Sequence, residues 1–349
     1  MRSVRWIVAV AVAAISLAVL GAEPSLHREK SFSPKPGGTV RVEAAFQDVV
    51  VTVRPGASVE VTVDVKVSGW GGSDEDFLKA CEPQFSETAD AIVVHCKPSV
   101  HFTFGLKTTL AKIDVKMPPG MGIEASSGSG DCSVKGDTGG FPVSISTGSG
   151  DVLLDGACKS LQAETGSGDV KASFSKDAEK AEFRTGSGDV LVSGPVQELS
   201  AETGSGDVRL ELKGGKAKVS LRTGSGDADL KGGAVDLTAR SGSGEITADG
   251  LTGAATLKTG SGDISATWAQ GPHGEKLSAK SSSGSVHLAF PAGTGLAGLL
   301  TSVSGRIHSD FPGAPKGSGE KSFALTGSQG SSDLEVETIS GDIHVVAAK

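Results

Sequence analysis

The six residues TGSGDV recur at Thr165–Val170, Thr185–Val190 and Thr203–Val208, and this recurrence constrains the fold more than any other feature of the chain. A catalytic loop is needed once, whereas a turn that returns at a fixed interval belongs to the architecture. The acidic residues that end the GSGD-type turns are Asp131, Asp151, Asp169, Asp189, Asp207, Asp227, Glu245 and Asp263, separated by 20, 18, 20, 18, 20, 18 and 18 positions. The period is therefore about nineteen residues.

Apolar residues alternate on both sides of each turn. Val208 and Leu210 follow Asp207, and Leu199 and Ala201 precede it; Val152 and Leu154 stand in the same relation to Asp151, as do Val143 and Ile145. Alternation with a period of two predicts two short strands per repeat, each with one apolar face. Neither strand can bury that face alone, so the repeats must stack into a β-solenoid, with neighbouring coils about 4.8 Å apart around a thin continuous core. Glycine at the corners is expected to supply the positive φ of tight turns. A β-propeller is the competing fold, but its blades need about 40 residues and four strands.

The register extends beyond the clear motif, from Val40 and Val42 before Asp48 to Ile343 and Val345 after Asp342. The expectation is an all-β β-solenoid of roughly ten coils. It divides into a linker over 23–38, an elaborated N-terminal coil or cap over 39–122, and the GSGD-repeat solenoid over 123–349. Within the cap, SVEVTVDVKV reads as a long strand, and Ser73–Ala80 reads as a short helix with Ser73 as its N-cap. Phe311–Ser322 reads as a long loop.

Before these elements, residues 1–22 read as a secretory signal: Arg2 and Arg5, then an apolar run from Trp6 to Leu20, then Gly21 and Ala22. An uncleaved anchor is the alternative, and it is the one route to membrane contact. The signal implies a secreted, periplasmic or envelope-associated protein. Four cysteines suit that compartment. Cys81 and Cys96 flank a turn and a strand and are expected to pair; Cys132 and Cys158 could also pair, or pack as small core residues. A net charge of −8 opposes a nucleic-acid partner, which needs a basic stripe.

The motifs GGTVRVEAAFQDVVVTV (Gly37–Val53) and AKIDVKMPPGMGIEASSGSGD (Ala111–Asp131), together with the TGSGDV run, resemble the bacterial envelope family labelled "putative adhesin", whose members are domains of unknown function. The resemblance covers nearly all of the chain after the signal. It implies a right-handed, single-stranded β-helix and carries over no catalytic residue.

Two columns of side chains line up when the coils stack. The acidic column contains Asp151, Asp169, Asp189, Asp207 and Asp227. It reads either as turn chemistry, with carboxylates accepting backbone N–H groups, or as a calcium ladder. The nonapeptide of calcium-loaded solenoids, with a site at every turn, is not matched here, and Arg306 in the same column cannot ligate a cation. The hydroxyl column, Thr147, Thr165, Thr185, Thr203, Thr223, Ser241 and Thr259, reads as buried corner residues or as a flat ice-binding ladder. GTGLAG (Gly293–Gly298) matches a dinucleotide-binding glycine pattern without the required strand-to-helix setting. The seven histidines look scattered, with His95 a strand surface residue. No cofactor is expected beyond the calcium alternative. The function expected is a non-catalytic, exported binding or scaffold module whose partner is an unspecified envelope polymer or protein. Alternatives are a carbohydrate-active β-helix enzyme, which needs two carboxylates gathered in one cleft, and a structural or stress-related envelope protein.

Overall fold

Each repeat contributes one strand to each of two long sheets, because the alternating apolar positions on either side of the GSG corner can only be buried between two layers. The computed structural model describes residues 25–69, 74–97, 106–214, 217–316 and 321–348. The signal reading of residues 1–22 and the Ser73 cap lie outside them. The described strands form a 15-stranded and a 16-stranded sheet, mostly parallel. The fold is all-β and solenoid-like; the one described helix is Asp74–Ala80.

In the first sheet Val190, Val208, Ala228 and Ile246 lie in line across four adjacent strands. In the second, Leu199, Val219 and Leu237 do the same. These residues face one another across the interior and are at most 4% exposed. Facing positions combine branched residues with alanine, such as Val208 and Leu210 with Leu199 and Ala201, which keeps the layer thin.

The stacking follows the chain through the middle and departs from it near both ends. Strand Ser332–Thr338 lies between Lys276–Ser281 and Leu296–Ser302, and Ile343–Ala348 lies between Val286–Pro291 and Ile307–Ser309. A coil late in the chain thus fills a slot between two earlier ones. At the other end Thr39–Ala44 sits between Ala91–Cys96 and Gly122–Ser127, while Asp48–Val53 sits between Leu106–Met117 and Cys132–Asp137.

Three expectations need correction. Residues 23–38 are more than a linker: Ser25–Phe32 is a strand antiparallel to Val59–Gly69, with Leu26 and Phe32 buried. Between them Arg28 and Lys30 take the same-side positions, half-buried, so the apolar alternation that marks a strand is missing here and the segment reads as a linker. Phe311–Ser322 is more than a loop. Gly313–Pro315 pairs antiparallel with Ser322–Leu325, which pairs in turn with Leu296–Ser302. Phe311 is buried edge-on against Phe290 (6.0 Å, 88°), and Phe290 stacks on Trp268 at 4.3 Å, so aromatic burial anchors the segment over this end of the core.

The third concerns glycine. None of the GSGD-turn glycines adopts a positive φ. A Cβ on Gly168, Gly188, Gly206 or Gly226 would instead meet the backbone carbonyl of the matching glycine one coil back, inside 3.0 Å. These corners need glycine because successive backbones approach too closely for a side chain. Positive φ occurs elsewhere, at Gly194 and Gly214 for example.

Candidate binding surface

The two corner columns are occupied by bonds between coils. Thr165 is buried; its hydroxyl donates to the Gly150 carbonyl at 2.8 Å and accepts the Gly168 N–H at 3.1 Å. Thr185, Thr203 and Thr223 repeat both bonds, so the hydroxyl column is a buried seam and presents no flat Thr ladder to solvent.

The acidic column runs outside the same corner. Asp151 Oδ1 accepts the Asp169 N–H at 2.9 Å, Asp169 that of Asp189, Asp189 that of Asp207, and Asp207 that of Asp227. Each carboxylate therefore binds a backbone donor of the next coil, a charge-assisted bond that offsets repulsion between carboxylates one coil apart. Arg209 adds a cation among Asp189, Asp207 and Asp229, at 3.8, 2.6 and 3.6 Å. The column ends on Asp342 and Arg306: the Arg306 backbone N–H donates to Asp342 Oδ1 at 2.8 Å and its guanidinium reaches Oδ2 at 2.9 Å. Those two contacts hold the Asp342 carboxyl below its usual range. No group of three or more His, Cys, Asp or Glu suited to a metal occurs among the described residues; the donor set offered here is one carboxylate per coil, already engaged.

Cys81 and Cys96, expected to pair, are free thiols buried near one another, and Cys132 and Cys158 are also free and buried. Packed in the apolar layer, each behaves as a small hydrophobe. Burial pushes the Cys96 thiol up to about 12, with Cys81 adding to the effect, and the Cys81 thiol up to about 11.

The outer sheet faces carry what remains. Glu124 and Glu182 both border a shallow hollow of about 260 Å³ on the second sheet. They stand three strand steps apart, about 14 Å at the usual spacing, too far for a glycosidase pair at roughly 5 to 9.5 Å. Each is also bound to a cation: Glu124 to Arg41 and Glu182 to Lys180, both at 2.6 Å. Along a neighbouring column of the same face charges alternate, with Arg184 at 3.0 Å from Glu164 and Arg222 at 3.9 Å from Glu202.

His95 lies on the strand surface as expected, half-buried, with Nδ1 3.0 Å from Glu43. Three other histidines are not scattered. His287, His344 and His308 occupy adjacent strands of the first sheet, their rings 6.1 Å apart at each step. Each stands two residues after the corner column, at Ser285, Asp342 and Arg306. That shared register was readable, but their adjacency depends on the late coil entering its slot.

The family model described as Toastrack DUF4097 matches residues 42–249 and 234–346. No curated protein matches the chain. Among solved structures, the chain is similar to a "putative adhesin" from Parabacteroides distasonis, with 12% identity, a TM-score of 0.39, and coverage of 92% of this chain and 97% of that one. It is also similar to a "putative adhesin" from Parabacteroides merdae (11%, TM-score 0.38, coverage 92% and 96%) and to a "putative lipid binding protein" from P. distasonis (15%, TM-score 0.36, coverage 92% and 96%). With the family model spanning residues 42–346, which hold the repeats and most of both sheets, the chain belongs to the Toastrack DUF4097 family.

Proposed function

We propose that the protein is a non-catalytic binding or scaffold module of the bacterial cell envelope, exported by its N-terminal signal and built as a right-handed β-helix of roughly ten coils. The observation that carries this reading is the division of labour among its columns. The Thr and Asp columns are consumed by bonds between coils, which leaves two broad faces with side chains repeating at the strand spacing. Such faces suit many weak, regularly spaced contacts, in which affinity comes from multivalency. The name "putative adhesin" carried by similar structures accords with this.

The test is a binding screen of the purified protein against isolated envelope polymers and whole cells, graded by polymer length. Affinity that climbs with length supports the reading. Failure to bind any polymer or cell, together with turnover of a polysaccharide, would replace it with the enzyme alternative.

A further inference from the structure

The alternation of charge on the second sheet stops at Arg222. The next three strands place Arg240, Lys258 and Lys280 at the same position, in register with one another, so four cations stand one above another about 4.8 Å apart. Like charges at that spacing repel. At the two ends the repulsion is relieved: Arg222 reaches Glu202 at 3.9 Å, and Lys280 reaches Glu335 and Glu337 at 2.9 and 3.1 Å. In the middle it is not, since Arg240 and Lys258 are exposed and make no ion pair among the described residues. A chain with net charge −8 thus keeps an uncompensated basic stripe where its own alternating pattern would have removed one.

The neighbouring column, two residues toward the start of each strand, is entirely hydroxylic on the same four strands: Ser220, Thr238, Thr256 and Ser278. These groups both donate and accept hydrogen bonds, and Ser220 and Thr256 are exposed while Thr238 and Ser278 are half-buried. We propose that this surface binds a linear acidic polysaccharide lying along the stacking direction, with its carboxylates on the cation column and its sugar hydroxyls on the Ser/Thr column. A sugar residue is about as long as one strand spacing, so the carboxylates of an acidic polysaccharide that face the sheet fall at whole multiples of that spacing and meet cations of the column. A glycerol- or ribitol-phosphate chain has a longer repeat and loses this registry. Guanidinium and ammonium groups both pair with carboxylates, Arg240 with the option of two parallel bonds. The proposal rests on the binding-module reading and names its ligand class and face.

Oligogalacturonates of graded length serve as the acidic probe, with their methyl esters as the neutral counterpart and poly(glycerol phosphate) as the polyanion of different spacing. Binding is measured for the unmodified protein, for R240Q/K258Q, and for K135Q/K171Q, which removes the same charge from the exposed face of the first sheet. The expected result is binding to oligogalacturonate that strengthens with length, weakens with salt, and falls roughly tenfold in R240Q/K258Q but not in K135Q/K171Q. The Tm of R240Q/K258Q should stay level or rise, because repulsion is removed, which separates lost binding from lost folding. Equal loss in both variants, or an equal preference for poly(glycerol phosphate), would overturn the assignment of face or ligand class. Binding of methyl ester but not acid would overturn the acidic ligand and leave the binding module standing. No binding to any of these or to envelope polymers would remove both.

Discussion

Asp207 accepts the backbone N–H of Asp227 through Oδ1 at 2.8 Å while its other oxygen lies 2.6 Å from Arg209. One carboxylate thus ties its own coil to the next and anchors a surface cation. Asp207→Asn keeps an Oδ1 acceptor and should cost under about 1 kcal/mol, whereas Asp207→Ala leaves the Asp227 N–H without its partner and should cost about 1–2 kcal/mol. Urea unfolding of the two variants compares them directly, and equal losses would mean that the bond contributes nothing.

The buried Thr seam should matter more. Thr203→Val preserves shape but abandons the Gly188 carbonyl and the Gly206 N–H, bonded at 2.9 and 3.1 Å. A loss of about 2–3 kcal/mol is expected, read from the denaturation midpoint at unchanged m-value. A near-neutral result would show that these backbone groups find other partners.

Two glycines separate crowding from backbone conformation. At Gly206 a new Cβ would collide with the Gly188 carbonyl, whereas at Gly214, where φ is +105°, nothing lies within 4 Å. Gly214→Ala should cost about 1–2 kcal/mol through strain alone. Gly206→Ala should cost more, because two backbones must separate along the stack. The reverse order in thermal unfolding would contradict the close-approach account.

His27 predicts a pH dependence at the edge of the first sheet. Its hydrogen bond to Asp64, at 2.6 Å, is the largest influence raising its pKa above 6.5, joined by the charges of Asp64 and Glu29. The folded state therefore favours the protonated ring. The added stability is fully present below pH 6.5 and disappears as pH rises through the higher folded value. NMR titration of the imidazole should give a midpoint above 6.5, and amides of Ser25–Phe32 should lose protection above it; a midpoint at or below 6.5 would show that the Asp64 contact is not maintained in solution.

The thiols offer a last check. With Cys81 and Cys96 raised to about 11 and 12, the native protein should resist iodoacetamide at pH 8, and all four cysteines should react once unfolded. Intact mass should be the same with and without reductant, as four free thiols require; a mass that rises on reduction would instead show that Cys81 and Cys96 pair.

The sequence made the paired strands legible because burial there follows a strict period: Val208, Leu210, Leu199 and Ala201 are inward by alternation and are buried. The roles of Thr203 and Asp207 were visible only as options, since a hydroxyl or carboxylate at a corner can serve its own turn, a neighbouring coil or a ligand. Crowding at Gly206 was invisible because the clashing carbonyl belongs to another coil. The ladder of His287, His344 and His308 was hidden for a related reason: periodicity locates residues within a coil, whereas the order of coils is a long-range choice. The run of Arg222, Arg240, Lys258 and Lys280 lies where stacking follows the chain, so the same counting from the corner places these cations in one column.

The placement of Ser332–Thr338 and Ile343–Ala348 between strands formed from earlier residues has a consequence for assembly. Coils in the middle can dock in chain order, each on a finished neighbour. The wedge at this end cannot, because its slot has an outer wall, Leu296–Ser302 and Ile307–Ser309, that gains its main partner only when the wedge arrives. Until residues 332–348 arrive, Lys276–Ser281 and Val286–Pro291 each present an unpaired parallel edge, so closure of this end is the step at which the stack stops being open to pairing with another chain.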